Sequence, residues 1–309
     1  MTRKNYFELI QDMEFNADKE FEIISKLISE KRSPSSITLS LISLQNVFNV
    51  NFILYLKYRK IQFTSYDEVN EYFKNNMNGT ERLFSYIEFI IDLYSFLKKN
   101  AGKMSNSNRY NYYLISNSFR EIEDRINYSL DKTNHELIEL DSGNRIIVEK
   151  NVYASEVSQI VSETSIQDAI KVLEYNHFAN KGNIQRKKEI LISLAGYLEP
   201  YLKKFDNPEK LPKELKEIYN ELKIVLQTKG ADTNKKGEKI PKKIAVFDNL
   251  SEMYNQGGLR HNNDKQYHLN MNDEELEQWY DNIYTSTLFV ILSLEMGRNL
   301  SKLNELKKK

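Results

Sequence analysis

The chain has 309 residues, enough for about two domains with buried cores. Lys and Arg number 44 and so do Asp and Glu, which excludes a globally basic nucleic-acid binder but not a local basic patch. Cysteine is absent, so disulfide scaffolds, Cys-ligated zinc, iron–sulfur clusters and thiol nucleophiles are excluded, and only His135, His177, His261 and His268 are left for imidazole chemistry.

Ten Gly and five Pro in a chain rich in Leu, Ile, Lys and Glu predict long helices. The amino-terminal MTRKNYFELIQDMEFNADKEFE carries acids early and no apolar run, unlike a signal peptide. Helices are predicted over 5–31, 36–60, 66–75, 79–100 and 108–130. Ser33-Pro34 separates the first two, with Ser35 or Ser36 as N-cap. Ser33 to Leu56 is uncharged and long enough to span a bilayer. Gln45, Asn46, Asn49 and Asn51 near its middle are expensive in lipid, so it reads as a buried core helix. In the 79–100 helix, Leu83, Ile87, Ile90 (or Ile91), Tyr94 and Leu97 repeat with helical period and mark one buried stripe. Tyr110, Tyr112 and Tyr113 beside Arg109 are read as core aromatics rather than a base-stacking platform.

The segment HELIELDSGNRIIVEKN, His135 to Asn151, breaks the helical pattern. Two short β-rich runs flank a Gly-containing turn, the mark of a hairpin, and such a hairpin needs helices to pack on. It divides the chain into an N-terminal helical region, 1–132, a connector, 133–152, and a C-terminal helical domain, 153–309. The C-terminal helices are predicted over 153–164, 166–180, 184–205, 211–228, 241–256 and 273–305. The fold class is mostly α, helical bundles with one small β-hairpin insertion. The polar, Lys-rich loop from Thr228 to Lys239 and the tail NELKKK are read as a solvated loop and a helix end, with phosphate contact as the competing reading.

The last seventy or so residues carry the chemistry. Pro241 suits a first helical turn, and Ile244, Phe247, Leu250 (or Ser251) and Tyr254 form a stripe that Gly257-Gly258 ends. A polar connection, LRHNNDKQYHLNM, leads to Asn272 and Glu275, a capping box. The helix that follows places Leu276, Trp279 (or Tyr280), Ile283, Thr287, Val290 (or Ile291) and Leu294 on one apolar stripe, with Trp279 read as core. Arg260, His261, Asn262 and His268 lie in the connection. A guanidinium grips phosphate with a fork of N–H donors. An imidazole can take a proton from a ribose 2′-hydroxyl and return one to a leaving oxygen, so an Arg/His pair can cleave RNA without a metal. The P-loop, dinucleotide-fold, serine-hydrolase elbow and zincin motifs are all absent.

A helix, an Arg, a short polar loop with a His and a final apolar helix resemble the carboxy-terminal signature of HEPN domains. The layout of NYYLISNSFREIEDRINYSL, the hairpin, YASEVSQIVSE and FANKGNIQRKKEILISLAGYLEPYLK is similar to bacterial abortive-infection proteins with a C-terminal HEPN domain, over roughly Tyr110 to Leu294. The resemblance implies a C-terminal four-helix bundle and a metal-independent endoribonuclease of antiphage defence without a cofactor. Arg260 and His268 map to the catalytic pair, and His261 and Asn262 to supporting, phosphate-binding positions. The implied partners are RNA, a second copy in a homodimer, and a regulatory protein or phage trigger, in the cytoplasm and off the membrane. Seven residues separate Arg260 from His268, one more than the family's usual spacing, and Tyr267 and Leu269 stand where glycines often flank the His. A non-catalytic interaction or nucleotide-binding module of a defence or toxin–antitoxin system is the alternative.

Overall fold

A computed structural model of the chain describes residues 15–32, 41–105, 111–112, 116, 118–140, 143–230, 243–260 and 266–307. These residues are mostly helical, with one small antiparallel hairpin and a two-residue strand pair. The chain divides into two compact units, Met1–Lys150 and Asn151–Lys309.

The first unit is built from α1 (Ala17–Ser29), α2 (Leu44–Arg59), α3 (Tyr66–Asn76), α4 (Gly79–Lys99), a 3-10 turn at Ala101–Lys103, α5 (Phe119–Lys132), and strands β1 (His135–Glu139) and β2 (Arg145–Glu149). Local chemistry starts these helices: Asn16 and Ser65 accept from amides of the first turns of α1 and α3. α2 begins eight residues later than predicted. Its cap is Ser43, which forms a capping box with Asn46, and Arg32 and Ile42 pair as an antiparallel bridge just before it. Ser35 and Ser36, the expected caps, lie outside the described residues. The polar side chains near the middle of the uncharged run are engaged. Gln45 and Asn49 donate to the Asp67 carboxylate at 2.7 and 2.9 Å, and Asn51 donates to the Val47 carbonyl at 2.8 Å. Among the described residues no helix is long and apolar enough to cross a membrane.

α4 is the centre of this unit. It buries Leu83, Phe84, Tyr86, Ile87, Ile90, Ile91, Leu93 and Leu97, more than the single stripe expected, because α1, α2, α3 and β2 all pack on it. Tyr94 is half-buried and stacks on Phe119 of α5, centroids 3.6 Å apart. The hairpin pairs His135 with Glu149 through Glu139 with Arg145. Ile147 and Val148 of β2 are buried, and the Ile147 amide donates to the Glu88 carboxylate of α4 at 2.6 Å. The hairpin therefore belongs to the first unit rather than standing between the two as a connector. Gly143 in its turn has φ +77, a left-handed conformation that glycine takes without strain. Asp141 and Ser142 lie outside the described residues.

The second unit contains α6 (Val152–Ser162), α7 (Ile166–Glu174), α8 (Ile184–Phe205), α9 (Lys213–Val225), strands β3 (Thr228–Lys229) and β4 (Lys243–Ile244), α10 (Ala245–Gln256), a 3-10 turn at Tyr267–Asn270, and α11 (Asp273–Lys307). α9 stops short of its predicted end, and α10 starts past its predicted beginning. Thr228 pairs with Ile244 and Lys229 with Lys243, so the backbone polar groups there are spent on a strand pair. Pro241 lies outside the described residues. Lys229 and Lys243 form ion pairs with Asp248, and Lys243 also with Asp206, which neutralises the described ends of the basic loop.

α11 is 35 residues long and packs against α6, α8, α9 and α10. The capping box at its start is present: the Asn272 amide donates to Glu275 at 3.0 Å and the Glu275 amide to Asn272 at 2.9 Å. Tyr280, not Trp279, takes the fully buried position, and Trp279 packs half-buried against the core. Lys187 of α8, nearly buried, pairs with Glu277 and Asp281 of α11 at 2.7 Å each. The Tyr175 hydroxyl donates to the same Asp281 at 2.8 Å, and its ring stacks on Tyr284 at 4.0 Å. Burial pushes the Glu277 carboxyl up, but the Lys187 ammonium and the Gly182 amide outweigh it and hold it below the usual carboxylate range.

Gly297 sets how closely α9 approaches α11. A Cβ there would stand 2.9 Å from both Ile218 Cγ2 and Leu222 Cγ. Gly297→Val is expected to destabilise the protein by about 2–3 kcal/mol through overpacking, measured by urea denaturation. An unchanged midpoint would show that the two helices are not held this close.

Candidate functional site

The candidate residues gather where α10 ends. Gly257 follows its last residue, and Gly258 takes φ +67, the left-handed conformation that ends many helices. The chain turns there and Leu259 drops into the core at 5% exposure. Its amide donates to the Tyr254 carbonyl at 3.0 Å. Arg260 comes next, and α11 supplies the wall behind the turn. A Cβ on Gly257 would stand 3.1 Å from Ile283 Cδ1 and 3.4 Å from Trp279 Nε1, so the turn packs almost directly on that helix.

The Arg260 side chain folds back along α10. Its Nη1 donates to Ser251 Oγ at 3.0 Å, and its guanidinium carbon lies 5.2 Å from the centroid of the Tyr254 ring. Burial holds the Tyr254 hydroxyl far above the usual phenol range, against the lowering effects of Thr287 and the Arg260 charge. The ring is thus a neutral surface under a cation. Arg260 Nε and Nη2 are buried and have no hydrogen-bond partner among the described residues. Two further buried polar atoms, Asn255 Oδ1 and Trp279 Nε1, have no partner among the described residues and lie at the same helix end. Leaving a buried polar group unsatisfied costs on the order of 1–3 kcal/mol, and more for a charged one. This end of α10 therefore carries a local cost in polar satisfaction, with N–H groups suited to an acceptor.

His268 reaches the same helix end from the 3-10 turn. Its Nδ1 lies 3.1 Å from the carbonyl oxygen of Gln256, the last residue of α10. A carbonyl only accepts, so the neutral ring carries its proton on Nδ1 and presents a lone pair at Nε2. The ring lies flush over Gly258, where a Cβ would come within 2.5 Å of Cε1 and 2.8 Å of Nε2. Gln266, buried at 2% exposure, donates to the Asn255 carbonyl and anchors the start of that turn.

Arg260 and His268 are thus both brought to the last turns of α10, Arg260 through Ser251 and Tyr254, His268 through Gln256 and Gly258. His261 and Asn262, the expected supporting residues, lie outside the described residues. His135 and His177 serve locally. His135 Nδ1 is 2.6 Å from the Thr133 carbonyl with its ring against Phe84, and His177 accepts from the Ala179 amide at 3.2 Å. Among the described residues no group of three or more His, Asp or Glu side chains is arranged to hold a metal ion.

Ser251, Gln256 and Gly258 shape the site and were not singled out for it by sequence. The signal that could have found one of them is the Gly257-Gly258 pair, since ending a helix needs only one left-handed glycine. The other, Gly257, leaves room for the turn to lie against α11. Family models, curated proteins and solved structures contain no match to this chain.

Gly258→Ala is expected to displace the His268 ring and to cost about 2 kcal/mol or more, since left-handed strain of roughly 1–2 kcal/mol adds to the clash. The measurement is the imidazole 1H–15N spectrum together with urea denaturation. His268 signals that stay in place with unchanged stability would refute the packing of the ring on Gly258.

Proposed function

We propose that the second unit is a metal-independent endoribonuclease of the HEPN type, acting in the cytoplasm as part of bacterial antiphage defence. The observation that carries this reading is that Arg260 and His268 are both held on α10, Arg260 by Ser251 and His268 by the Gln256 carbonyl, with two guanidinium nitrogens that have no hydrogen-bond partner among the described residues. In this reading His268 Nε2 takes the proton from a ribose 2′-hydroxyl. The 2′-oxygen attacks the adjacent phosphorus and the bond to the 5′-oxygen breaks. A 2′,3′-cyclic phosphate forms, and the proton is returned to the departing 5′-oxygen. Arg260 donates to the non-bridging oxygens, where charge builds in the transition state. Arg260 Nε and Nη2 are sealed from solvent in this conformation, so a phosphate reaches them only when the surrounding side chains rearrange.

A homodimer fits the surface of α11. Phe289, Met296, Leu303 and Leu306 are exposed, Leu292 is partly exposed, and with Asn299 they repeat at the spacing of a coiled-coil seam. A second copy would cover this seam. Met296→Glu with Leu303→Glu is expected to give a monomer in sedimentation equilibrium where the wild type is a dimer. A monomeric wild type would remove the dimer from the reading.

The alternative, a non-catalytic nucleotide-binding or interaction module, is favoured by the same sealed nitrogens and by the seven residues between Arg260 and His268. RNA integrity after controlled expression, repeated during phage infection, separates the two. On the ribonuclease reading, wild type cleaves RNA and the purified protein does so in EDTA. His268→Ala is expected to lose about 10²–10⁴-fold in rate and Arg260→Ala about 10²–10³-fold, with the fold retained by circular dichroism. Intact RNA in every condition, or equal cleavage by wild type and both variants, would favour the binding module.

A further inference from the structure

The first unit contains a cleft of about 530 Å³ that has no role in the chemistry above. That volume lies within the roughly 300–1,000 Å³ range of small-ligand sites. It opens between the C-terminal ends of α2 and α4 and the hairpin turn, and its lining comes from residues far apart in sequence.

Among the described residues that line the cleft, cations outnumber carboxylates. The one carboxylate among them, Asp92, is already spent: Arg59 engages it through Nε at 2.8 Å and through Nη2, and the Tyr55 hydroxyl donates to it at 2.7 Å. Arg59 also donates to Asn144 Oδ1 at 2.8 Å, which ties the hairpin turn to the cleft wall. Lys57, Lys99 and Lys103 also line the cleft, and among the described residues none of them has an ion-pair partner. Three lysines thus line one concavity beside an internally neutral Arg–Asp pair. An anion with several charged oxygens would give them the partner they lack.

The same cleft carries an aromatic pair. The rings of Tyr58 and Phe96 lie 5.0 Å apart at an interplanar angle of 35°. Tyr58 is 59% exposed, an unusual position for a tyrosine on a core helix, and its other neighbour is the Arg59 guanidinium at 4.8 Å. A π-face beside phosphate-seeking ammonium groups suits a planar base joined to phosphates. Ser95 and Asn100 add neutral polar groups to the lining. Inorganic phosphate alone would leave the aromatic pair unused, and an RNA strand would not need so bounded a cleft.

We propose that this cleft binds a nucleotide carrying two or more phosphates, with Lys57, Lys99 and Lys103 on the phosphates and Tyr58 and Phe96 against the base. The test is calorimetric titration of the full chain with ATP, GTP, CTP, UTP and inorganic triphosphate in turn. At least one nucleoside triphosphate is expected to bind wild type. K57Q/K99Q/K103Q is expected to weaken it about tenfold or more. Tyr58→Ala is expected to weaken the nucleoside triphosphate while leaving inorganic triphosphate unchanged. The side chains are exposed, so thermal melting without ligand checks that the variants fold. Arg260→Ala is expected to bind like wild type, which separates this cleft from the site on α10. Four nucleotides that all fail to bind wild type, or binding that the triple variant retains, would overturn the proposal. So would lysine-dependent binding of a single-stranded RNA oligonucleotide without binding of any mononucleotide, which would make the cleft part of an RNA groove.

Discussion

The second unit depends on α11 finding cover along most of its length. Burying Tyr280, Ile283, Tyr284, Leu288, Val290, Ile291 and Leu294 takes four other helices, and the close approach at Gly297 is one consequence. Apolar side chains of this size are each worth about 1.5–3 kcal/mol when fully buried, so this helix, together with α8, supplies much of the unit's stabilising burial. The site inherits its position from it. The Tyr254 hydroxyl is hydrogen-bonded to Thr287 Oγ1 at 2.7 Å, and the Gly257 turn packs on Ile283 and Trp279. Arg260 and His268 are then held by the end of a helix that α11 itself holds.

Two kinds of polar chemistry sit on this frame. The Lys187, Glu277, Asp281 and Tyr175 cluster satisfies its members with one another, and it pins α7 and α8 to α11. The end of α10 does the opposite, leaving Arg260 nitrogens, Asn255 Oδ1 and Trp279 Nε1 without partners among the described residues. A structural network closes on itself, while the Arg260 and Trp279 N–H groups are donors that the proposed phosphate site would use. The lysines of the cleft in the first unit follow the second pattern in an exposed setting, where the unmet demand is charge rather than desolvated N–H groups.

Much of this fold could be read from local sequence. The predicted 184–205 helix agrees with α8 at both ends, the 66–75 and 79–100 helices each differ by one residue, and the hairpin falls where Ile146, Ile147 and Val148 follow the Gly turn. Periodicity and caps act within a few residues, so they are visible in a linear reading. Two of the errors came from one distant contact. α9 ends early and α10 begins late because Thr228 pairs with Ile244, which no window around either residue reveals. Arg260 and His268 were legible as residue types suited to phosphate chemistry. Their arrangement was not, since it depends on Ser251, on the Gln256 carbonyl and on the open face of Gly258. Lys57, Lys99 and Lys103 stayed invisible as a group because α2 and α4 meet only in three dimensions.

The central claim is that Arg260 and His268 serve one phosphate. It is tested most directly by titrating a 2′-deoxy-substituted RNA oligonucleotide, which lacks the attacking hydroxyl, while following the imidazole 1H–15N signals of the wild type and of Arg260→Ala. The account predicts that the His268 signals move in the wild type with a saturable response, and that the response is lost or strongly weakened when Arg260 is removed. His268 signals that never respond, or that respond equally in both proteins, would contradict it.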